Sequence, residues 1–239
     1  MVNLVTAEHS RADASVEALA QALKRDFPAI TTIVHNINRK KGQVAIGDEE
    51  RTLVGEGCIR EKIGDKVFQI SANSFFQTNT RQAARLYDEA LAMAELAPGD
   101  VVYDLYSGTG VIALHLSGHC DRVLGLEVVA GAVEDAVANA ERNGVTNCTF
   151  LCMDLKDVKH AAPEMRRFGR PDVVVVDPPA FAKNLGQRDR ALRAYERLNA
   201  QALRTVAPDG LLLTCSCSGG VNAEEFEGTV RGALASERR

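Results

Sequence analysis

The chain has 239 residues and a formal net charge of −4. A hydrophobic fraction of 46% and a charged fraction of 25% are typical of globular domains and exclude disorder as a description of the whole chain. No apolar run reaches the ~18 residues that span a bilayer, and the amino terminus lacks the pattern of a secretory signal. We therefore expect a cytoplasmic protein, and the acidic balance argues against a general nucleic-acid binder.

The first 80 residues are predicted to form a small α+β unit. β-rich segments stand at 2–8, 31–38, 43–47 and 66–71, and an apolar stripe predicts a helix over 15–27. The basic turn at 39–42, Arg-Lys-Lys-Gly, is either a solvated hairpin tip or a contact to RNA phosphates. We place a domain boundary near residue 80 and expect the unit before it to be an accessory domain that contacts RNA.

From Asn79 the pattern changes to alternating helices and strands. Asn79 caps a predicted helix with Gln82 three residues on, and Pro98-Gly99 stops that helix. Helical patterns also cover 131–143 and 188–206. Five apolar segments look like strands, at 101–107, 122–129, 148–154, 172–179 and 210–218. This order predicts an α/β domain over 81–239 with a mostly parallel sheet and helices on both faces.

Polar residues end four of these strands. The first strand carries Asp104 and leads into a turn with Gly108 and Gly110, where a ligand can approach the backbone without meeting a Cβ. The next three strands end in the acids Glu127, Asp154 and Asp177. Ligands bind at the carboxyl edge of such sheets, and an acid ending the second strand suits ribose hydroxyls. The third glycine of the dinucleotide pattern is absent, which favours a nucleoside without a pyrophosphate.

The motifs Asp-Leu-Tyr-Ser-Gly-Thr-Gly and Asp-Pro-Pro, together with the strand-end acids, resemble class I (Rossmann-like) S-adenosylmethionine-dependent methyltransferases. The segments at 35–57 and 71–91, the latter with Phe-Phe-Gln, resemble the bacterial 23S rRNA uracil-C5 methyltransferases, and the match covers about residues 1–179. The resemblance implies S-adenosylmethionine as cofactor and ribosomal RNA as partner. The cofactor contacts expected from it and from the glycine turn are Gln77, Asp104, Tyr106, Gly108, Gly110, Glu127, Asp154 and Asp177.

After Pro179 the sequence resembles the 23S rRNA cytosine-C5 methyltransferases instead, with Asp-Pro-Pro-Ala-Phe and Thr-Cys-Ser-Cys-Ser. Both families use a cysteine that adds to the pyrimidine, so the target base stays open between uracil and cytosine. The family position favours Cys217 as the nucleophile, and Cys215 or two inert packed cysteines remain alternatives. Strand alternation is expected to put both cysteines on one face. Asp177 is expected to contact the base, and Phe181 either stacks on it or packs in the core.

The remaining cysteines, at 58, 120, 148 and 152, are expected to pack as small apolar side chains. They form no CxxC pair, and no His pair has zinc spacing, so we predict neither a metal site nor disulfides.

Four arginines of the 188–206 helix, at 190, 193, 197 and 204, share one face. This face is either an RNA phosphate track or a solvated charged surface.

Two features of the methyltransferase families are expected to be missing. The uracil-C5 family has a later segment with the catalytic general base, and the class usually adds two further strands to the sheet. A catalytically inactive fragment that binds S-adenosylmethionine or RNA is therefore a third alternative, beside the uracil and cytosine enzymes.

Overall fold

The computed structural model describes residues 1–8, 12–39, 47–155, 158–182 and 184–237. Most of the strand predicted at 43–47 and the tip of the basic turn, residues 40–42, lie outside these ranges. Of that turn, Arg39 is described, and it forms ion pairs with Glu8 and Glu49.

The chain begins with a three-stranded sheet. Its elements are β1 (Val2–Ala7), α1 (Ala12–Asp26), β2 (Ile33–Asn38) and β3 (Glu49–Val54). β2 is central, parallel to β1 and antiparallel to β3. Because β1 and β2 run parallel, α1 provides the crossover between them. Val16 and Ala20 of α1 are buried, as are Ile33, Val34 and Ile37 of β2.

A separate hairpin follows, with β4 (Cys58–Ile63) antiparallel to β5 (Lys66–Ser71). Gly64, with φ +61°, begins the tight turn between them. Ile63 and Phe68 pack in one cluster with Tyr87, Val111 and Ala140 from later helices. The hairpin therefore lies against the α/β part of the molecule. The boundary near residue 80 stays a prediction.

The rest of the described chain alternates helices and strands, as predicted. The elements are α2 (Thr80–Ala94), β6 (Val101–Leu105), α3 (Val111–Leu116), β7 (Arg122–Glu127), α4 (Ala130–Arg142), β8 (Cys148–Cys152), α5 (Val158–Phe168), β9 (Val173–Val176), α6 (Arg188–Thr205), β10 (Leu211–Thr214) and α7 (Ala223–Glu237). Asn79 caps α2, with its Oδ1 accepting the N–H of Gln82 at 3.2 Å. The helix ends at Ala94, before Pro98-Gly99, with Glu95 in the left-handed region.

Five strands form one parallel sheet in the order β10-β9-β6-β7-β8. Alternate residues of each strand enter the cores on opposite faces. Tyr103 and Val174 pack in one core with Ala202 of α6, and Val102 and Val175 pack in the other with Leu116 of α3. The predicted fold class is confirmed. Strand order reverses between β6 and β9, and such a switch point opens a crevice at the carboxyl edge.

Within the described ranges, no helix is both long and apolar enough to cross a membrane.

Candidate active site

The turn after β6 is held in an uncommon backbone conformation. Tyr106, Gly108 and Gly110 all have positive φ, at 75°, 52° and 81°. Strained conformations of non-glycine residues tend to cluster at functional sites, so Tyr106 makes this turn a candidate for one. A Cβ on Gly110 would lie 2.9 Å from Cζ of Phe150, whereas a Cβ on Gly108 would meet nothing within 4 Å. Gly110 thus permits close packing against β8, and Gly108 leaves open space for a ligand.

Glu127 connects this turn to the end of β7. Its Oε1 accepts the N–H groups of Val128 and Val129 at 2.7 and 2.8 Å, and its Oε2 accepts the N–H of Gly108 at 3.1 Å. A carboxylate has about four acceptor positions. The arrangement therefore fixes the carboxylate and leaves acceptor capacity on Oε2 for a hydroxyl group.

A cavity of about 500 Å³ lies at this edge of the sheet. Its wall includes Tyr106, Glu127 and Asp154, which were predicted as cofactor contacts. The other lining residues are Leu126, Val128, Met153, Leu155, Pro179, Phe181, Ala194, Arg197, Leu198 and Gln201. A mostly apolar wall with two carboxylates suits a flat base joined to a sugar with hydroxyl groups.

The other predicted cofactor contacts do not line this cavity. Asp104 lies beneath the glycine turn with 0% exposure, and its Oδ2 accepts the N–H of Ala113 at 3.1 Å. Its Oδ1 has no hydrogen-bond partner among the described residues. Burial, and then the nearby Asp177 carboxylate, raise the pKa of Asp104 to about 7. Gln77 is half-buried and, like Asp177, lies outside the cavity wall.

The two candidate nucleophiles follow β10 and differ in environment. Cys217 is exposed and its Sγ donates to the carbonyl of Pro178 at 3.6 Å, whereas Cys215 is partly buried. Burial, and then Asp177, raise the pKa of the Cys215 thiol to about 11 and raise the pKa of Cys217 above its ordinary value. β10 ends at Thr214, so both cysteines follow the strand and strand alternation does not determine which face they share.

Ser218 joins the cysteine segment to the Asp-Pro-Pro segment. Its buried Oγ accepts the N–H groups of Phe181 and Ala182 at 2.9 and 3.1 Å and lies 2.8 Å from the hydroxyl of Tyr195. The Phe181 ring packs on Tyr195, with centroids 4.7 Å apart. Since Phe181 also lines the cavity, these contacts fix the position of the cysteine segment relative to the cavity.

Several residues of the site were missed by sequence reasoning. Val128 and Met153 are direct neighbours of the predicted acids Glu127 and Asp154, so position next to a strand-end acid was an available signal. Ser218 and Tyr195 gave no signal, because their role depends on contacts between distant segments. Among the described residues, no group of three or more His, Cys, Asp or Glu side chains has the arrangement of a metal site.

The strand order, the cavity at the switch point and the strand-end acids together define the class of Rossmann-like S-adenosylmethionine-dependent methyltransferases. A SAM-dependent methyltransferase from Agrobacterium tumefaciens shares this fold, with a TM-score of 0.59 at 17% identity, over 88% of this chain and 67% of that chain. The cofactor of this class is S-adenosylmethionine, as predicted.

The sequence model of the tRNA (uracil-5-)-methyltransferase family matches residues 2–191. The chain therefore belongs to this family, and the predicted uracil-C5 membership is confirmed.

Similar proteins are described as RNA methyltransferases. The uncharacterized RNA methyltransferase CT0009 of Chlorobaculum tepidum is 41% identical over 88% of this chain and 43% of its own length. One from Porphyromonas gingivalis is 44% identical over 77% of this chain and 39% of its length. The Pyrococcus abyssi tRNA (uracil-54, C5)-methyltransferase, solved with S-adenosyl-L-homocysteine, superimposes with a TM-score of 0.62 at 29% identity, over 96% of this chain and 48% of that chain. The chain spans less than half the length of these relatives.

Proposed function

We propose that this chain transfers a methyl group from S-adenosylmethionine to carbon 5 of uracil in RNA, with Cys217 as the nucleophile. The observation that carries the proposal is the position of the exposed Cys217 thiol, 3.6 Å from the Pro178 carbonyl and beside a cavity that suits a nucleoside. The chain that holds this thiol belongs to the uracil-5 family. Pro179 and Phe181, which follow Pro178, line that cavity.

The residues present fit the cofactor. Glu127 offers a fixed carboxylate, Gly108 leaves space where a Cβ would stand, and Tyr106 and Asp154 add polar groups to the wall. We place the nucleoside part here, with Gln77, Asp104, Gly110 and Asp177 as further contacts or supports. When bound, the cofactor supplies an electrophilic methyl group on a sulfonium sulfur.

The chain's own residues carry the nucleophilic chemistry. Carbon 5 of uracil is a weak nucleophile, so the Cys217 thiolate first adds to carbon 6 and shifts the electron pair to carbon 5. Carbon 5 then takes the methyl group. Loss of the carbon-5 proton to a base returns the electron pair, the S–C6 bond breaks, and Cys217 leaves as thiolate. Asp177 precedes Pro178, whose carbonyl accepts from the Cys217 thiol, and we assign it to the polar edge of the base.

The RNA approaches along α6. Two arginines of this helix pair with α7, Arg188 with Glu225 and Arg204 with Glu237. Arg190, Arg193 and Arg197 are exposed, and none of them pairs with a carboxylate in the described part of the chain. Arg197 also lines the cavity. These three guanidinium groups therefore present unpaired positive charge at the active edge, which suits RNA phosphates.

Ribosomal RNA, in the cytoplasm, is the substrate that the sequence resemblance favours, whereas the Pyrococcus abyssi relative is a tRNA methyltransferase by its description. The test incubates the full chain with S-adenosylmethionine labelled on the methyl group and with 23S rRNA or tRNA transcripts, followed by nucleoside analysis. We expect label in 5-methyluridine from the ribosomal transcript. Label only from tRNA would contradict the substrate, label only in 5-methylcytidine would contradict the base, and cofactor binding without transfer to either RNA would contradict the activity.

A further inference from the structure

Side chains along one helix form a ladder of hydrogen bonds with the backbone at one edge of β5. Asp135 and Asn139 of α4 and Asn143, which caps the carboxyl end of α4, follow one another at intervals of four residues. The side chain of Asn143 bonds both the N–H and the C=O of Val67, at 2.9 Å each. Asn139 does the same for Gln69, at 2.6 and 3.2 Å. Backbone groups of β5 that a neighbouring strand would satisfy are thus satisfied by α4.

Asp135 ends this ladder at the turn that follows β5. Its Oδ2 accepts the N–H of Ser71 at 3.1 Å and the hydroxyl of Ser74 at 2.6 Å, and its Oδ1 accepts the hydroxyl of Ser71 at 2.7 Å. The carboxylate is only 4% exposed. Buried charge-assisted hydrogen bonds of this kind are among the strongest in proteins, so the turn Ser71–Ser74 is firmly held.

The three-stranded sheet holds the same turn from its other side. The amide of Asn3 donates to the carbonyl of Ala72 at 3.2 Å. The amide of Asn73 donates to Oδ1 of Asn36 at 3.0 Å and to the carboxylate of Glu50 at 2.7 Å. The turn is therefore fixed between the amino-terminal sheet and α4.

The same helix also supports the glycine turn of the cofactor site. The amide of Asn139 donates to the carbonyl of Thr109 at 3.1 Å, and Ala136 lies against Gly110. One face of α4 thus sets the position of the glycine turn and of the segment that leads to Gln77. The Gln77 side chain itself makes no hydrogen bond within the described residues, so its position depends on the backbone on both sides, between the turn Ser71–Ser74 and the start of α2 at Thr80.

We propose that Asp135 is a positioning residue for the cofactor: by fixing the turn Ser71–Ser74, it holds Gln77 where its amide meets bound S-adenosylmethionine. The inference rests on the proposed function, which places Gln77 at the cofactor.

The test measures the affinity of the full chain for S-adenosylhomocysteine by calorimetry, together with thermal stability. Asp135→Ala should weaken binding about tenfold, which corresponds to the loss of one hydrogen bond to the ligand. Asn143→Ala is the matched control, because it removes a rung of the same ladder two helical turns away. It should lower the melting temperature as Asp135→Ala does, with unchanged affinity.

A double-mutant cycle shows whether Asp135 acts through Gln77. Gln77→Ala alone should weaken binding about tenfold, and adding Asp135→Ala should weaken it no further. Additive losses, an unaffected Asp135→Ala or Gln77→Ala variant, or an equal loss in Asn143→Ala would each overturn the inference. If the unaltered chain fails to bind S-adenosylhomocysteine, the proposed function itself fails, so the two failures are distinguishable.

Discussion

Two asparagines with 0% exposure show how differently the same side chain is used. The Asn139 amide bonds the backbone of Gln69 and Thr109, as described above. Neither amide atom of Asn199, on α6, meets a hydrogen-bond partner among the described residues. A buried polar group without a partner destabilises the folded state by about 1–3 kcal/mol.

Replacement of each asparagine by leucine should therefore have opposite effects. Asn199→Leu removes an unsatisfied amide and should raise the free energy of unfolding by about 1 kcal/mol. Asn139→Leu leaves backbone groups without partners and should lower it by about 2–3 kcal/mol. Urea unfolding of the two variants measures both changes. A loss of stability in Asn199→Leu would show that its amide is hydrogen-bonded in solution.

Asp104 should make stability depend on pH. Because its pKa is raised to about 7 in the folded state, it keeps its proton between about pH 4 and 7, where the unfolded chain has lost it. Its contribution to stability therefore falls as the pH rises through this range.

In Asp104→Asn this dependence is absent. The free energy of unfolding of Asp104→Asn should therefore rise relative to that of the unaltered chain by up to about 1.4 kcal/mol per pH unit between pH 5 and 7. This difference should level off above pH 8. Unfolding curves at four pH values measure the difference. A difference that stays constant from pH 5 to 7 would rule out a raised pKa.

At this scale the sequence predicts the acids at strand ends well. Glu127 ends β7 and Asp154 follows β8, so both reach the cavity, since the carboxyl ends of parallel strands meet at one edge. Asp104 lies inside β6, before its last residue, and its side chain is buried beneath the turn. An aspartate one or two residues before the end of a strand is thus buried, whereas an acid at or just after the strand end reaches the cavity. The motif alone does not distinguish these two environments.

Among the elements, α6 gives the clearest prediction about RNA binding. If Arg190, Arg193 and Arg197 contact phosphates, Arg193→Glu should weaken RNA binding several-fold in low salt and reduce its salt dependence, because fewer counterions are released. Arg231→Glu on α7 is the control, with the same change of charge at an exposed arginine that already pairs with Glu227. Filter binding at several salt concentrations measures both. Equal effects of the two variants would indicate a general charge effect and contradict a track along α6.

Elements with strong periodicity were predicted nearly to the residue. The patterns at 131–143 and 188–206 correspond to α4 and α6, and 66–71 corresponds to β5. β3 and β4 were not predicted, since Glu49–Val54 and Cys58–Ile63 carry several charged residues on exposed positions and show little apolar alternation. The ladder of hydrogen bonds from α4 to β5 was also not predicted, because side chains that bond the edge of a strand produce no periodic pattern in the sequence.

For the whole molecule, the net charge of −4 does not conflict with an RNA substrate. Part of the acidic charge is buried and hydrogen-bonded, as in Asp135, while the arginines at the active edge are exposed. Distribution of charge, and not its total, decides which surface attracts RNA.

Covalent trapping tests the central claim most directly. RNA that contains 5-fluorouridine cannot lose the substituent at carbon 5, so a cysteine that adds to carbon 6 stays bound after methyl transfer. With S-adenosylmethionine present, we expect a stable protein–RNA adduct that is retained in Cys215→Ala and lost in Cys217→Ala. An adduct that survives Cys217→Ala, or one that forms only on RNA with 5-fluorocytidine, would contradict the account.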